Sequence, residues 1–260
     1  MPPDGCHRMS PSPRRATPAH VNNQAHVDQY AAGRYRSPSQ RFVNWREHRI
    51  ARELLARSAD AGSTHVVDIP CGYGRFYPLY KTMGYQVTCL DRSDAMIEWL
   101  RSNQALEQTD RGRVRRADIL DRLPVDTDVD LAVSIRMFQH IPSQESRRQA
   151  LAVLAEAGNG PVLMTYYDRR CLHYWTKRMV RRLRGKRVGI NMLSGRTMDS
   201  DIESAGLKVV RRKRLLWGLH AQTWVLLEWA KKPVRGVQMA LGGLLAERLL
   251  QPATQLFAAI

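Results

Sequence analysis

Segments typical of buried strands alternate with segments of helical periodicity along most of this chain. The first strand segment, THVVDI, is apolar and β-branched, which is typical of a strand covered on both faces. Two strand patterns in succession near the end predict an antiparallel edge hairpin. The alternation predicts an α/β fold with a doubly wound, mostly parallel, seven-stranded sheet and an N-terminal helix. The predicted strands are 64–69, 85–91, 113–119, 129–136, 161–167, 207–216 and 223–230, and the predicted helices are 41–59, 75–84, 93–108, 143–158 and 199–206.

Composition divides the chain into a tail, one domain and a final helix. Residues 1–27 are rich in proline, with Ser, Arg and Asn between, which predicts a disordered tail. Residues 28–232 hold the alternating pattern and are predicted to form one domain, with a basic cap helix near 173–188. Residues 233–260 carry Val and Leu at helical spacing, which predicts a C-terminal amphipathic helix.

The chain is strongly basic. Its net charge of +17 comes from 41 Lys and Arg against 24 Asp and Glu. Such an excess favours contact with the phosphates of nucleic acid or of an anionic membrane. The alternative is that these arginines only solvate the surface.

The four cysteines and the distribution of apolar residues indicate a compartment. None of the cysteines belongs to a CxxC pair, so neither a metal site nor a disulfide framework is predicted. Reduced thiols fit a cytoplasmic location. No apolar run reaches the roughly 20 residues needed to span a bilayer, so no transmembrane segment is predicted.

The turn after the first strand, in VVDIPCGYGRFYPLY at 66–80, has the composition of a ligand cradle. Asp68 ends the strand, and Gly72 and Gly74 follow, where a missing Cβ lets the backbone approach a ligand. A dinucleotide loop of the GxGxxG type needs a third glycine where Tyr77 stands, and the GxxxxGK[ST] phosphate loop is absent. A ligand with a ribose, an amine and a base therefore fits the turn better than a di- or triphosphate.

Two more acids follow the next two predicted strands. Asp91 ends strand two, where a carboxylate can accept hydrogen bonds from both hydroxyls of a ribose. Asp118 follows strand three, where a carboxylate can accept a hydrogen bond from an adenine amino group. Either acid alone could be a helix cap or a surface turn. Because parallel strands end at one edge of the sheet, three strand-end acids together favour a nucleoside site.

The chain resembles the class I S-adenosylmethionine-dependent methyltransferases over about residues 42–230. Asp68, Gly72 and Gly74 match the first motif of that family, Asp91 matches its ribose-binding acid, and the segment ADI with Asp118 matches its adenine-binding segment. Pro70 departs from the glycine that the family usually has, although proline tolerates a negative φ. The resemblance implies S-adenosyl-L-methionine as cofactor, with a binding set of Asp68, Pro70, Cys71, Gly72, Gly74, Asp91, Arg92, Asp118 and Ile119.

Candidates for the acceptor side follow strands four and five. Three are candidate catalytic residues, namely Arg136, His140 and Tyr166, of which His140 has the pKa range of a general base. Packing is the alternative role of His140, and only one of the adjacent Tyr166 and Tyr167 can face the pocket. Other candidates for lining the pocket are Phe138, Gln139 and Asp168.

The preferred acceptor is a small or lipid-like molecule that is methylated at oxygen or nitrogen. RNA methylation is an alternative that the charge favours, although the motif of base-amino methyltransferases is missing after strand four, and a non-catalytic regulator that binds the cofactor is another. In the segment 173–188, Trp175, Met179 and Leu183 recur at helical spacing among Lys and Arg. This pattern predicts either a cap over the acceptor pocket or a helix that lies on an anionic membrane.

Overall fold

The computed structural model describes residues 23–58, 64–125, 129–158, 160–172, 174–176, 179 and 191–231. Its seven strands form one sheet in the order β3-β2-β1-β4-β5-β7-β6. The first five strands pair in parallel, and β7 runs antiparallel to both β5 and β6. The predicted α/β sheet with an antiparallel edge hairpin is therefore confirmed. The strands are β1 (His65–Asp68), β2 (Gln86–Asp91), β3 (Val114–Arg116), β4 (Leu131–Ser134), β5 (Val162–Tyr167), β6 (Leu207–Arg214) and β7 (Gln222–Trp229).

Helices precede the sheet and connect its strands. They are α1 (Gln24–Gly33), α2 (Pro38–Ser58), α3 (Tyr77–Thr82), α4 (Asp94–Asn103), α5 (Gln108–Arg111), α6 (Gln144–Glu156) and α7 (Gly195–Ser204), with a 3-10 turn at Phe138–His140. Helix α1 begins inside the section 1–27 that the sequence predicts as a disordered tail. The predicted helix 93–108 is wrong over residues 104–107, because Gln104 has extended backbone and ends α4.

The sheet has an apolar core on each face. Alternate side chains of each strand point to opposite faces, so neighbours such as Val66 and Val67 enter different cores. One core contains side chains of α2, α3 and α4, and the other contains side chains of α6 and α7. Leu54 and Leu100 are fully buried in the first core, as Leu151 is in the second.

The strand order reverses between β1 and β4, and this position determines where a ligand binds. From β1 the chain runs outward to β2 and β3 on one side and to β4 and β5 on the other. Ligands of doubly wound sheets bind beyond the carboxyl ends of the strands at such a reversal. The turn after β1 and the residues that follow β4 meet at this place.

Several predictions concern residues outside the described part of the chain. These are the tail over 1–22, the C-terminal helix 233–260 and most of the basic helix at 173–188, of which only 174–176 and 179 are described. Within the described residues, no helix combines the length and the apolar content that a membrane span needs.

Candidate active site

The turn after β1 is held against the end of β2. The backbone N–H of Gly72 donates a hydrogen bond to Oδ2 of Asp91 at 2.9 Å, and that of Cys71 donates to the carbonyl of Leu90 at 2.8 Å. Gly72 and Gly74 have φ values of +56° and +75°, in the left-handed region that favours glycine. At Gly74 space is also short, because an added Cβ would lie 2.7 Å from Cδ1 of Leu100.

Asp91 is buried at the end of β2 and keeps hydrogen-bonding capacity. Its Oδ1 accepts a hydrogen bond from the backbone N–H of Ser93 at 2.8 Å, and its Oδ2 accepts the one from Gly72. A carboxylate oxygen has two lone pairs, so each can accept a further hydrogen bond. Burial raises the pKa of Asp91. The position and remaining lone pairs suit a ligand with two adjacent hydroxyls.

Asp68 is a buried carboxylate that lacks a protein partner on one oxygen. Its side chain is 2% exposed, and Oδ1 has no hydrogen-bond partner among the described residues. Burial raises the pKa of Asp68 to about 7. A buried polar atom without a partner is costly, so this oxygen suits a ligand that brings a hydrogen-bond donor. This orphaned acceptor, the two glycines of positive φ and Asp91 together fit a nucleoside that carries an amine, such as S-adenosylmethionine.

The remaining predicted cofactor residues lie in the turn after β1 or just after the ends of β2 and β3. Oδ1 of Asp118 accepts a hydrogen bond from the backbone of Leu120 at 3.1 Å, while Oδ2 lies 3.5 Å from Arg92. Ile119 is buried in the core that faces α6 and α7. The peptide bond before Pro70 is cis. The structure thus brings the predicted cofactor set to one edge of the sheet.

Sequence reasoning missed Glu47, a fully buried acid on α2. Its Oε1 accepts a hydrogen bond from Nε of Arg136 at 2.8 Å, and its Oε2 accepts one from Arg75 at 2.6 Å. Burial acts to raise the pKa of Glu47, but the two guanidinium groups outweigh it and lower the pKa. A signal was present in the sequence, since Glu47 occupies the same helix stripe as the buried residues Ile50, Ala51, Leu54 and Leu55.

A cavity of about 450 Å³ lies beside the turn after β1, on the side that is predicted to hold the acceptor. Tyr30 lies on the wall of this cavity, and Tyr73 lies between Gly72 and Gly74 in the turn after β1, here called the glycine turn. The two rings meet edge to face, with centroids 5.9 Å apart. Arg136, at φ +61°, is fixed there because its backbone N–H donates to Oγ1 of Thr165 at 2.7 Å. The cavity is lined by Gln29, Tyr30, Gly33, Arg34, Tyr35, Ser39, Gln40, Val43, Arg136, Tyr167 and His220.

The structure separates the predicted acceptor-side residues. Arg136 and Tyr167 line the cavity, whereas Tyr166 is buried on the opposite face of the sheet, in the core with Met198 and Ile202. The reason is the alternation of β5, whose neighbouring side chains take opposite faces. Tyr166 is thus placed away from the acceptor side, and burial raises its pKa to about 12.

His140 ends the 3-10 turn after β4 and is exposed to solvent. It is not among the residues that line the cavity. Partial burial of the ring and the nearby charge of Arg34 lower its pKa. Phe138 and Gln139 are buried beneath it. Asp168 is also buried, and its carboxylate accepts hydrogen bonds from the backbone of Arg170 and from Arg214, so it holds the segment after β5 in place.

Comparisons with known proteins agree with this geometry. Residues 66–158 match a family model described as a methyltransferase domain. No curated protein matches the sequence. Among solved structures, the magnesium protoporphyrin IX methyltransferase of Synechocystis PCC 6803 with bound SAH aligns with a TM-score of 0.66 and 13% identity, over 82% of this chain and 97% of that chain.

Two further structures share the fold. The CcbJ methyltransferase from Streptomyces caelestis aligns with a TM-score of 0.54 and 14% identity, over 71% of this chain and 90% of that chain. The mitomycin 7-O-methyltransferase MmcR aligns with a TM-score of 0.50 and 21% identity, over 69% of this chain and 53% of that chain. At these identities the likeness establishes the fold of the chain.

Proposed function

The chain is a class I S-adenosylmethionine-dependent methyltransferase, and we propose that it methylates a small or lipid-like organic molecule at oxygen or nitrogen. The observation that carries the proposal is the cavity of about 450 Å³ beside the glycine turn. Its volume falls within the range of about 300–1,000 Å³ that is typical of sites for small organic ligands. The cavity is bordered by α1, by α2, by Arg136 after β4, by Tyr167 at the end of β5 and by His220 before β7.

The proposed cofactor set is the one that the sequence predicts. Asp91 would accept the ribose hydroxyls, and Asp68 would accept a hydrogen bond from the amine. Asp118 and Ile119 would border the adenine, with Arg92 beside Asp118. Gly72 and Gly74 would let the backbone approach the ligand, in a turn that also contains Pro70 and Cys71.

When bound, S-adenosylmethionine supplies a methyl group that its sulfonium charge already activates. The protein therefore has to orient the acceptor and exclude water, and orientation alone can contribute several kcal/mol. Arg136 and Tyr167 are the proposed orienting residues, since Arg136 follows β4, Tyr167 ends β5, and both line the cavity. Helix α1 would cover the reacting groups. A base such as His140 is needed only for an acceptor that must lose a proton.

Two of the structural relatives bear names of small-molecule methyltransferases, a magnesium protoporphyrin IX methyltransferase and a mitomycin 7-O-methyltransferase. Their names favour a small acceptor here. RNA methylation remains the second candidate, because a net charge of +17 suits a polyanion.

We also propose a cytoplasmic enzyme that associates weakly with anionic membranes through residues 173–188. Trp175 and Met179, the two described members of the predicted apolar stripe, are 62% and 64% exposed. Exposed apolar side chains among basic residues favour adsorption to an anionic bilayer.

The test is methyl transfer from methyl-labelled S-adenosylmethionine into extracts of the source cells, separated into a lipid phase, a water-soluble fraction and RNA. We expect label in one of the two small-molecule fractions and none with Gly72→Arg, which strains the positive φ and fills the turn. Label confined to RNA would overturn the preferred acceptor, and transfer to no fraction would contradict catalysis.

A further inference from the structure

We infer that the cavity beside the glycine turn selects an acceptor that joins an anionic group to a flat apolar body. The inference rests on the proposed function, since it names the class of molecule that this site takes. It goes beyond that function because cofactor geometry says nothing about the charge of the acceptor.

The first observation is the charge of the cavity wall. Two of the lining residues are arginines, Arg34 and Arg136, and none of the lining residues is acidic. Behind the wall, Glu47 is already shared between Arg136 and Arg75. Two guanidinium groups therefore share one carboxylate, and within the described ranges no acid forms an ion pair with the third arginine, Arg34. The excess positive charge lies in a partly buried site, where an anion is bound more strongly than at an open surface.

The second observation is the set of flat groups around Arg34. Its guanidinium carbon lies 4.8 Å from the ring centroid of Tyr30 and 5.5 Å from that of Tyr35. These rings hold the guanidinium plane in position, so less rotamer freedom is lost when its N–H groups bind a ligand. A carboxylate or sulfonate matches the fork of N–H donors of an arginine in this position.

The third observation is the aromatic lining of the cavity. Tyr167 and His220 meet edge to face, with ring centroids 6.0 Å apart, and both line the cavity. With Tyr30 and Tyr35 they supply aromatic surface at a wall that also carries the arginines. Rings stack against planar apolar groups, as guanidinium planes also do. The chemistry that the cavity recognises is therefore a planar organic anion, such as an aromatic carboxylate.

The experiment compares two dyes with the same aromatic body, 8-anilinonaphthalene-1-sulfonate and the uncharged N-phenyl-1-naphthylamine. Each is titrated by fluorescence into the full chain saturated with S-adenosylhomocysteine. The first variant is Arg34→Gln. The second is Arg34→Lys, which retains the positive charge but lacks the planar fork of N–H donors. The control is Arg46→Gln, which removes an arginine of α2 from a separate groove beside Trp45 and Trp217.

We expect the wild type to bind the sulfonate at least about tenfold more tightly than the neutral dye, as a charge-assisted hydrogen bond in a partly buried site allows. Arg34→Gln should remove most of this preference and leave the neutral dye within about twofold, and Arg34→Lys should keep part of it. Arg46→Gln should behave as wild type. Equal binding of the two dyes by the wild type, or the same loss with Arg46→Gln, would overturn the inference. Calorimetry with S-adenosylhomocysteine is run on each variant, since failure of the wild type to bind it would refute the proposed function instead.

Discussion

Nε of Arg136 lies 2.8 Å from Oε1 of Glu47, although 89 positions of sequence separate the two residues. The other oxygen of the same carboxylate contacts Arg75, which directly follows the glycine turn. One side chain of α2 therefore joins the loop after β1 to the loop after β4.

Replacing Glu47 with Gln should destabilise the fold strongly. The change keeps the size of the side chain but leaves the Arg75 and Arg136 guanidinium groups without their counter-charge, and breaking a buried pair in this way costs about 3–5 kcal/mol. Urea denaturation measures the free energy of unfolding. The matched control is Glu53→Gln on the same helix, a partly exposed acid that pairs with Arg57 and Lys213, where we expect a loss of less than about 1 kcal/mol. Equal losses for the two variants would contradict a special role of Glu47.

Asp68 should make stability fall as the pH rises from about 4 to about 7. The folded protein raises its pKa to about 7 from an ordinary value of 3.8, so in this window the folded state holds a proton that the unfolded state has lost. The slope for one group is at most about 1.4 kcal/mol per pH unit, and it vanishes above the folded pKa. Denaturation of wild type and Asp68→Asn at several pH values gives the difference between them. That difference should favour the variant increasingly up to pH 7, and a constant difference would show that Asp68 does not titrate as described.

Asp91→Ala should weaken binding of S-adenosylhomocysteine by roughly 1.5–3 kcal/mol, about 10- to 100-fold, because a charged acceptor is lost. Isothermal calorimetry is the measurement. Asp94→Ala is the control, since Asp94 is exposed three positions later and pairs with Arg116. Unchanged affinity in Asp91→Ala would remove this acid from the cofactor site.

His140→Ala distinguishes base catalysis from orientation alone. The side chain is exposed and does not line the cavity, so we expect kcat to stay within about threefold and cofactor affinity to stay unchanged. Steady-state methyl transfer to the identified acceptor measures both. A fall in kcat of about 10²-fold or more is the signature of a general base, and would establish His140 in that role.

Trp175→Ser combined with Met179→Ser should reduce sedimentation with anionic vesicles several-fold. The two side chains are exposed, and their apolar surface is the part that would enter the interface. Trp45→Ser, which removes an exposed tryptophan of α2, is the control. A wild type that does not sediment with vesicles at physiological salt would leave residues 173–188 as a cap of the acceptor pocket.

The sequence predicts the sheet well, and also the meeting of Asp68 and Asp91 at one edge, because both depend on local patterns. Asp68 and Asp91 end apolar runs, and the ends of parallel strands meet at one edge, so position in the chain predicts position in space. The sequence could not predict the partners of Glu47, because an ion pair between residues that are distant in the chain produces no characteristic spacing. The face of the sheet on which Tyr166 lies could not be predicted either, because it depends on which helices cover each side of β5. Helix α1, with the segment QAHVDQYAAG, has too few apolar residues to mark it as a wall of a pocket.

The proposed acceptor cavity is built mainly from one continuous stretch of chain. Eight of its eleven lining residues lie between Gln29 and Val43, while the proposed cofactor residues lie at the ends of β1 and β2 and in the loops after β1, β2 and β3. Most residues that would select the acceptor are therefore separate in sequence from those that would bind the methyl donor. A chimaera could exchange the segment that selects the acceptor and leave the cofactor site unchanged. A graft that extends through α2 would have to supply an acid in place of Glu47, since the loops after β1 and β4 present two arginines that require it.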